Sequence, residues 1–196
     1  KLYSTSGGTK WNFHPTGTVS VSYANVKDGG CESGSIYIHP DDSTDGGNND
    51  SCWAFTSITL SQAISDATIG FGTLSSSSAK YCTPDEAGSY SEVEAHTITA
   101  AVNSVGGYIL TVLGSSLTNG THTITPIGSS NIASVPGFEQ FGIRAVATGG
   151  SGVVDSLYSG AGFGFPSSAA TVPSTIATAS TGDGVPTVYS MRYLTD

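Results

Sequence analysis

The chain has 196 residues, 37% of them hydrophobic and only 11% charged, with 6 basic against 15 acidic side chains and a net charge of −9. A chain of that length buries roughly 70% of its unfolded surface, enough for a true core. Its negative balance repels polyphosphate backbones and anionic lipid heads, which argues against nucleic acid as a partner, and no stretch reaches the ~20 apolar residues of a membrane helix.

No basic start with an apolar run follows Lys1, so the chain reads as a mature exported protein. Period-two alternation predicts strands over residues 18–24, 35–39, 52–64 (bent near Ser57), 94–102, 108–113, 121–125, 138–147 and 187–194. Glycine pairs such as Gly29-Gly30, Gly46-Gly47, Gly106-Gly107 and Gly149-Gly150 punctuate them. Asn119-Gly120 fits a two-residue turn that makes 108–113 and 121–125 antiparallel neighbours. An apolar stripe of helical period is lacking, and only 61–67 and 132–135 offer a helical turn. Expected inward residues include Ile36, Ile38, Phe55, Ile58, Leu60, Ile64, Ile98, Ile109, Leu110, Phe141, Ile143, Tyr189 and Met191. No fixed-period repeat is visible. Short strands with glycine turns and no intervening helices point to an all-β antiparallel sandwich over residues 57–196, with an N-terminal extension, 1–56, packed on it.

Cys31 and Cys52 bracket a polar loop, and a disulfide between them would constrain the unfolded chain by roughly 3 kcal/mol. Cys82 is left over, either as a half-buried thiol or as a bond to a neighbouring chain. The three cysteines lack the x₂ spacing of a structural zinc site.

Within that loop, Asp41, Ser43 and Asp45 occupy the first three ligand positions of an EF-hand-like calcium loop, with Gly46 at the bend. The twelfth position is Cys52, where a bidentate Glu belongs, so a solvated, disulfide-closed loop is favoured over calcium, and no cofactor is otherwise expected. Glu92 and Glu94 are spaced to share a strand face like a glycosidase pair, yet Ser and Tyr surround them instead of the apolar pocket that keeps an acid protonated. His14, His39, His96 and His122 are scattered without a metal spacing, and no Gly-x-Ser-x-Gly elbow joins a strand to a helix. Gly160, Gly162 and Gly164 read as a flexible loop packed by Phe163 and Phe165. Asn49-Asp50-Ser51 and Asn119-Gly120-Thr121 match the N-glycosylation pattern. Trp11, Trp53 and Tyr37 belong to an aromatic-rich first quarter that would stack on sugar rings if exposed, although packing against a sheet is the commoner fate.

Five segments occur in one order: Ile69-Gly70-Phe71-Gly72-Thr73-Leu74, Ser91-Glu92-Val93-Glu94-Ala95-His96-Thr97, Glu139-Gln140-Phe141-Gly142-Ile143-Arg144, Ala179-Ser180-Thr181-Gly182-Asp183-Gly184 and Tyr189-Ser190-Met191-Arg192-Tyr193-Leu194. Over residues 57–196 the chain thereby resembles a family of secreted surface proteins of candidate-phyla-radiation bacteria, distantly similar to the WxL-type β-sandwich domains of Gram-positive cell surfaces. The resemblance implies an Ig-like or WxL-like sandwich and an extracellular, cell-surface location, and it carries over no catalytic residue. Members continue past the Tyr-Leu segment into one more strand and lack a cysteine at Cys82, whereas this chain stops at Thr195-Asp196. The expected consequence is an open sheet edge that another copy covers, with residues 1–9 as the donated strand. The resulting expectation is a non-enzymatic, self-assembling filament or surface-layer subunit. A carbohydrate-binding or adhesion module is the alternative.

Overall fold

The computed structural model describes residues 1–17, 19–32, 38–55, 59–75, 77–103, 106–182 and 184–196. They form two compact units, Lys1–Thr59 and Leu60–Asp196, and the regular secondary structure of both is almost all strand.

In the first unit five strands of two or three residues, β1 (Leu2–Tyr3), β2 (Trp11–Phe13), β3 (Asn25–Lys27), β4 (Gly29–Cys31) and β5 (Thr44–Asp45), all pair in parallel. The ladders run β1-β3-β5 and β2-β4, extended by parallel bridges between Ser22 and Asp41 and between Ile38 and Trp53. Parallel neighbours require the chain to complete a circuit between them. Here Leu2 faces Val26 and Val26 faces Asp45, so the segments stack as successive coils. The corners repeat too: Gly8, Asp28 and Asn48, at intervals of 20 residues, all take positive φ (80°, 58° and 58°). Gly, Asp and Asn are the residue types that tolerate that conformation. Asn48 Nδ2 ties two coils together by donating to Asp28 Oδ1 at 2.8 Å. A coil period therefore exists where alternation shows none. Val26, Ile38, Cys52 and Trp53 form the core, flanked by Trp11, Phe13 and Phe55, whose rings lie 5.5–6.4 Å from the Trp53 ring. A Cβ at Gly29 would come within 2.7 Å of the Trp53 indole nitrogen, so glycine lets the backbone approach the ring.

The second unit contains β6 (Leu60–Ile64), β7 (Lys80–Tyr81), β8 (His96–Val102), β9 (Tyr108–Val112), β10 (Thr118–Asn119), β11 (His122–Thr123), β12 (Gly128–Ile132), β13 (Phe141–Thr148), β14 (Val153–Val154), β15 (Phe163–Phe165), β16 (Ser174–Ala179) and β17 (Thr187–Thr195). The large sheet runs β12-β15-β13-β17-β8-β6, with β7 also on β17, and a second sheet runs β14-β16-β9. The pairings are antiparallel. Both sheets feed one core: Ile98, Ala145, Tyr189, Met191 and Leu194 from the first, Ile176 and Ala177 from the second. Tyr108 and Tyr189 hydroxyls, 2.8 Å apart, satisfy each other inside it. Among the described residues the only α-helical element, α1 (Ser156–Ser159), is a single turn capped by the Asp155 carboxylate, which accepts from Leu157 N–H.

Several sequence expectations are corrected. The all-β class holds, but antiparallel pairing is confined to the second unit. No regular strand occupies the described part of 18–24, where Ser22 makes a lone bridge, while 33–37 and 56–58, with Ile36, Tyr37 and Ile58, lie outside the described residues. The Gly120-Thr121 turn joins β10 to β11, with Gly120 as its first central residue and Asn119 in the strand before it, and β9 pairs instead with β16. Helical turns form at 156–159 and 167–170 instead of 61–67 and 132–135. The glycines at 160–164 lead into the buried strand β15, which packs between β12 and β13. Leu60, Ile64 and Ile109 are 66%, 52% and 68% exposed, since Leu110, next to Ile109, takes the inward position. Nor is β17 an edge: it lies between β13 and β8.

Candidate functional site

Sheet edges are this molecule's most distinctive surface. In the large sheet β12 ends one side with a register irregularity between Gly128 and Ile132, which disrupts a flat edge. The other side ends on β6, whose five residues pair with β8 in unbroken register from Leu60↔Val102 to Ile64↔Ile98. All five are exposed, and Leu-Ser-Gln-Ala-Ile contains no charge and no proline. Such a strand keeps one row of N–H and C=O groups available and has none of the features that normally blunt an edge. Gln62 shares a face with Leu60 and Ile64, a polar interruption that distinguishes this surface from a core-facing strand.

Comparison with family models, curated proteins and solved structures returns no match. The surface must therefore be read from its own chemistry.

The structure forms the Cys31–Cys52 disulfide. Cys82 is 2% exposed, with its N–H donated to Tyr193 O, so the thiol is not presented to another chain. Burial pushes it up to about 12, and burial, then the Cys82 charge, pushes Tyr193 up to about 12. Both groups keep protons that the unfolded chain releases, so stability is full below about pH 9 and falls as pH rises toward 12. Denaturant midpoints measured from about pH 8 to pH 11 should decline, and a flat profile would contradict this burial.

Asp45 Oδ1 accepts from Gly47 N–H and Asn49 Nδ2, while Ser43 Oγ donates to Asp41 O and accepts from Ala24 N–H. These oxygens brace the coil's own turn, and among the described residues no three His, Cys, Asp or Glu side chains converge as a metal site. Asn49 also donates to Val26 O and accepts from Gly29 N–H, so its amide is structural and a glycan there would break the coil. Asn119 stands exposed beside the β10-β11 turn. Trp53 is 5% exposed and Trp11 donates its indole N–H to Lys27 O, which turns these two indoles inward rather than toward a sugar.

Glu92 and Glu94 lie outside strands and do not form a facing pair. Instead Glu92 Oε1 accepts from Arg144 Nη1 at 2.6 Å and lies 3.2 Å from Arg192 Nε as an ion pair, bridging two arginines that are direct cross-strand neighbours on β13 and β17. This offsets a like-charge contact in the sheet. His96 Nε2 lies 2.8 Å from the Tyr193 hydroxyl. His122 and Glu139 meet at 2.6 Å but are 67% and 51% exposed, a solvated contact of little energetic weight.

Proposed function

We propose that this chain is a non-enzymatic structural protein of the cell exterior, a filament or surface-layer subunit that assembles through exposed β-edges. The observation that carries the reading is β6, a regular, uncharged edge strand exposed at every position. The disulfide fits an oxidising compartment. Two antiparallel sheets on a shared core support an Ig-like or WxL-like sandwich for the Leu60–Asp196 unit. The donated strand in this reading is not residues 1–9, because β1 already pairs with β3. The carbohydrate-binding alternative loses its principal anchor with Trp53 in the core.

Size-exclusion chromatography with light scattering tests the reading. The wild type should form concentration-dependent oligomers, and the Leu60→Lys, Ile64→Lys double variant should need at least about tenfold more protein to do so. Both side chains are exposed, so circular dichroism should be unchanged. A wild type that stays monomeric at every concentration, or a variant that assembles as well as the wild type, would overturn it.

A further inference from the structure

The two sheets of the Leu60–Asp196 unit end unevenly. In an antiparallel pair, residues directly opposite each other point to the same side of the sheet. Leu60, Gln62 and Ile64 of β6 stand opposite Val102, Ala100 and Ile98 of β8, and those three are buried. Leu60, Gln62 and Ile64 therefore lie on the side of the sheet that the core occupies, yet each of them is exposed. The strand above β8 is β9, whose Tyr108, Leu110 and Val112 pack on the core and whose Tyr108 hydroxyl lies 3.5 Å from Ala100 O. Among the described residues β9 is the last strand of the second sheet. The large sheet thus extends one strand beyond the small one. Beside the open edge of β9 lies a recess one strand wide, floored by Leu60, Gln62 and Ile64.

The walls of the recess define what it accepts: an extended, uncharged strand that pairs with β9 and lays alternate side chains on Leu60 and Ile64. β6 of a second copy meets those demands, being five residues long like β9, free of charge and proline, and unpaired along one edge. Its spacing agrees as well. Only residues 103–107 separate β8 from β9, so β9 starts level with Val102 and runs back along β8, in the direction of β6. Leu60 is then level with Tyr108 and Ile64 with Val112, which puts Leu60, Gln62 and Ile64 in step with the half-buried Tyr108, Leu110 and Val112. Charge permits the contact here. Copies that each carry −9 repel one another, and neither β6 nor β9 holds any of that charge.

We propose that two copies interlock by a half-turn about an axis along the strands, β6 of each filling the recess beside β9 of the other. This contact rests on the reading of the chain as a subunit that assembles through β6, and it names the partner strand as β9 of a second copy. The large sheet of each molecule then continues into the small sheet of its partner. Between the joined sheets Leu60 meets Leu60 and Ile64 meets Ile64, while the two Gln62 amides, each both donor and acceptor, face one another. The contact is the same patch on both copies and closes on itself, so the dimer is the unit that a filament or layer repeats.

The test uses two full-length variants, Ala63→Cys and Thr111→Cys, oxidised separately and as a mixture, with products resolved under non-reducing conditions and the link located by peptide mass. Both side chains are exposed, on the faces of β6 and β9 turned away from the core, and the buried Cys82 does not compete. In the interlocked dimer position 63 of one copy lies beside position 111 of the other, so the mixture should give a 63-to-111 dimer in at least about tenfold the yield of either variant alone. An Ala63→Cys sample that dimerises as well alone would mean that β6 pairs with β6 edge to edge, which overturns the interlocked contact and leaves assembly through β6 standing. If the wild type assembles while the mixture yields no 63-to-111 link, the interlocked contact is likewise overturned. A wild type that never assembles removes both readings.

Discussion

Reducing the Cys31–Cys52 disulfide, or replacing both cysteines by serine, is expected to unfold the Lys1–Thr59 unit while the Leu60–Asp196 unit stays folded. The bridge spans 21 residues, and releasing such a loop gives the unfolded chain about 3 kcal/mol of conformational freedom. Little else offsets that loss. Among the described residues the unit's buried hydrophobic cluster consists of four residues, one of them Cys52 itself, and its strands are two or three residues long. Domains near this size are marginal even with a better core. Both tryptophans of the chain, Trp11 and Trp53, lie in this unit, so their fluorescence reports on it alone. Reduction should shift the emission to the red at a denaturant concentration where far-ultraviolet circular dichroism still shows the second unit's sheets. An unchanged tryptophan spectrum after complete reduction would show that coil packing suffices without the bridge.

The second large effect is expected in the other core. Met191 lies on the central strand β17, fully buried between Ala145 on β13 and His96 on β8 in the pairing register. Met191→Ala should cost about 2–5 kcal/mol, as large-to-small changes in closed cores do. Ile109→Ala, removing a similar volume from a side chain that is 68% exposed, should change stability by no more than about 0.5 kcal/mol. Urea unfolding of the two variants measures the contrast directly. Equal costs would mean that Ile109 is covered in the folded protein, as it would be if the outer face of the second sheet took part in assembly.

That pair also marks how far alternation could be read. In β17 the residues Tyr189 and Met191 follow strict period two, with Ser190 between them and Arg192 after, so their inward direction was legible. In β9 the run Tyr108-Ile109-Leu110 is apolar at three successive positions, and a strand can send only alternate ones inward. Its core face became definite only when β16 paired with it. The same ambiguity hid β6, where Leu60 and Ile64 looked like core residues until the strand took the end position of its sheet. Cys31–Cys52 was legible because two cysteines bracket a loop, and Cys82 was not, because whether a lone thiol is buried depends on which strands surround it.

Composition and local pattern alone determined that this chain is β-rich and poor in helix, negatively charged, and closed near its N-terminus by a disulfide, because backbone preference and glycine turns act within a few residues. Only the tertiary structure decided which strands are neighbours, which edges remain open, and that the first unit is a stack of parallel coils. Those outcomes depend on contacts between residues about 20 positions apart in the first unit and, as between β8 and β17, more than about 80 apart in the second. The coil asks for a left-handed corner and a hydrogen-bonding rung but accepts Gly, Asp or Asn at that corner, so Gly8, Asp28 and Asn48 repeat a conformation without repeating a residue.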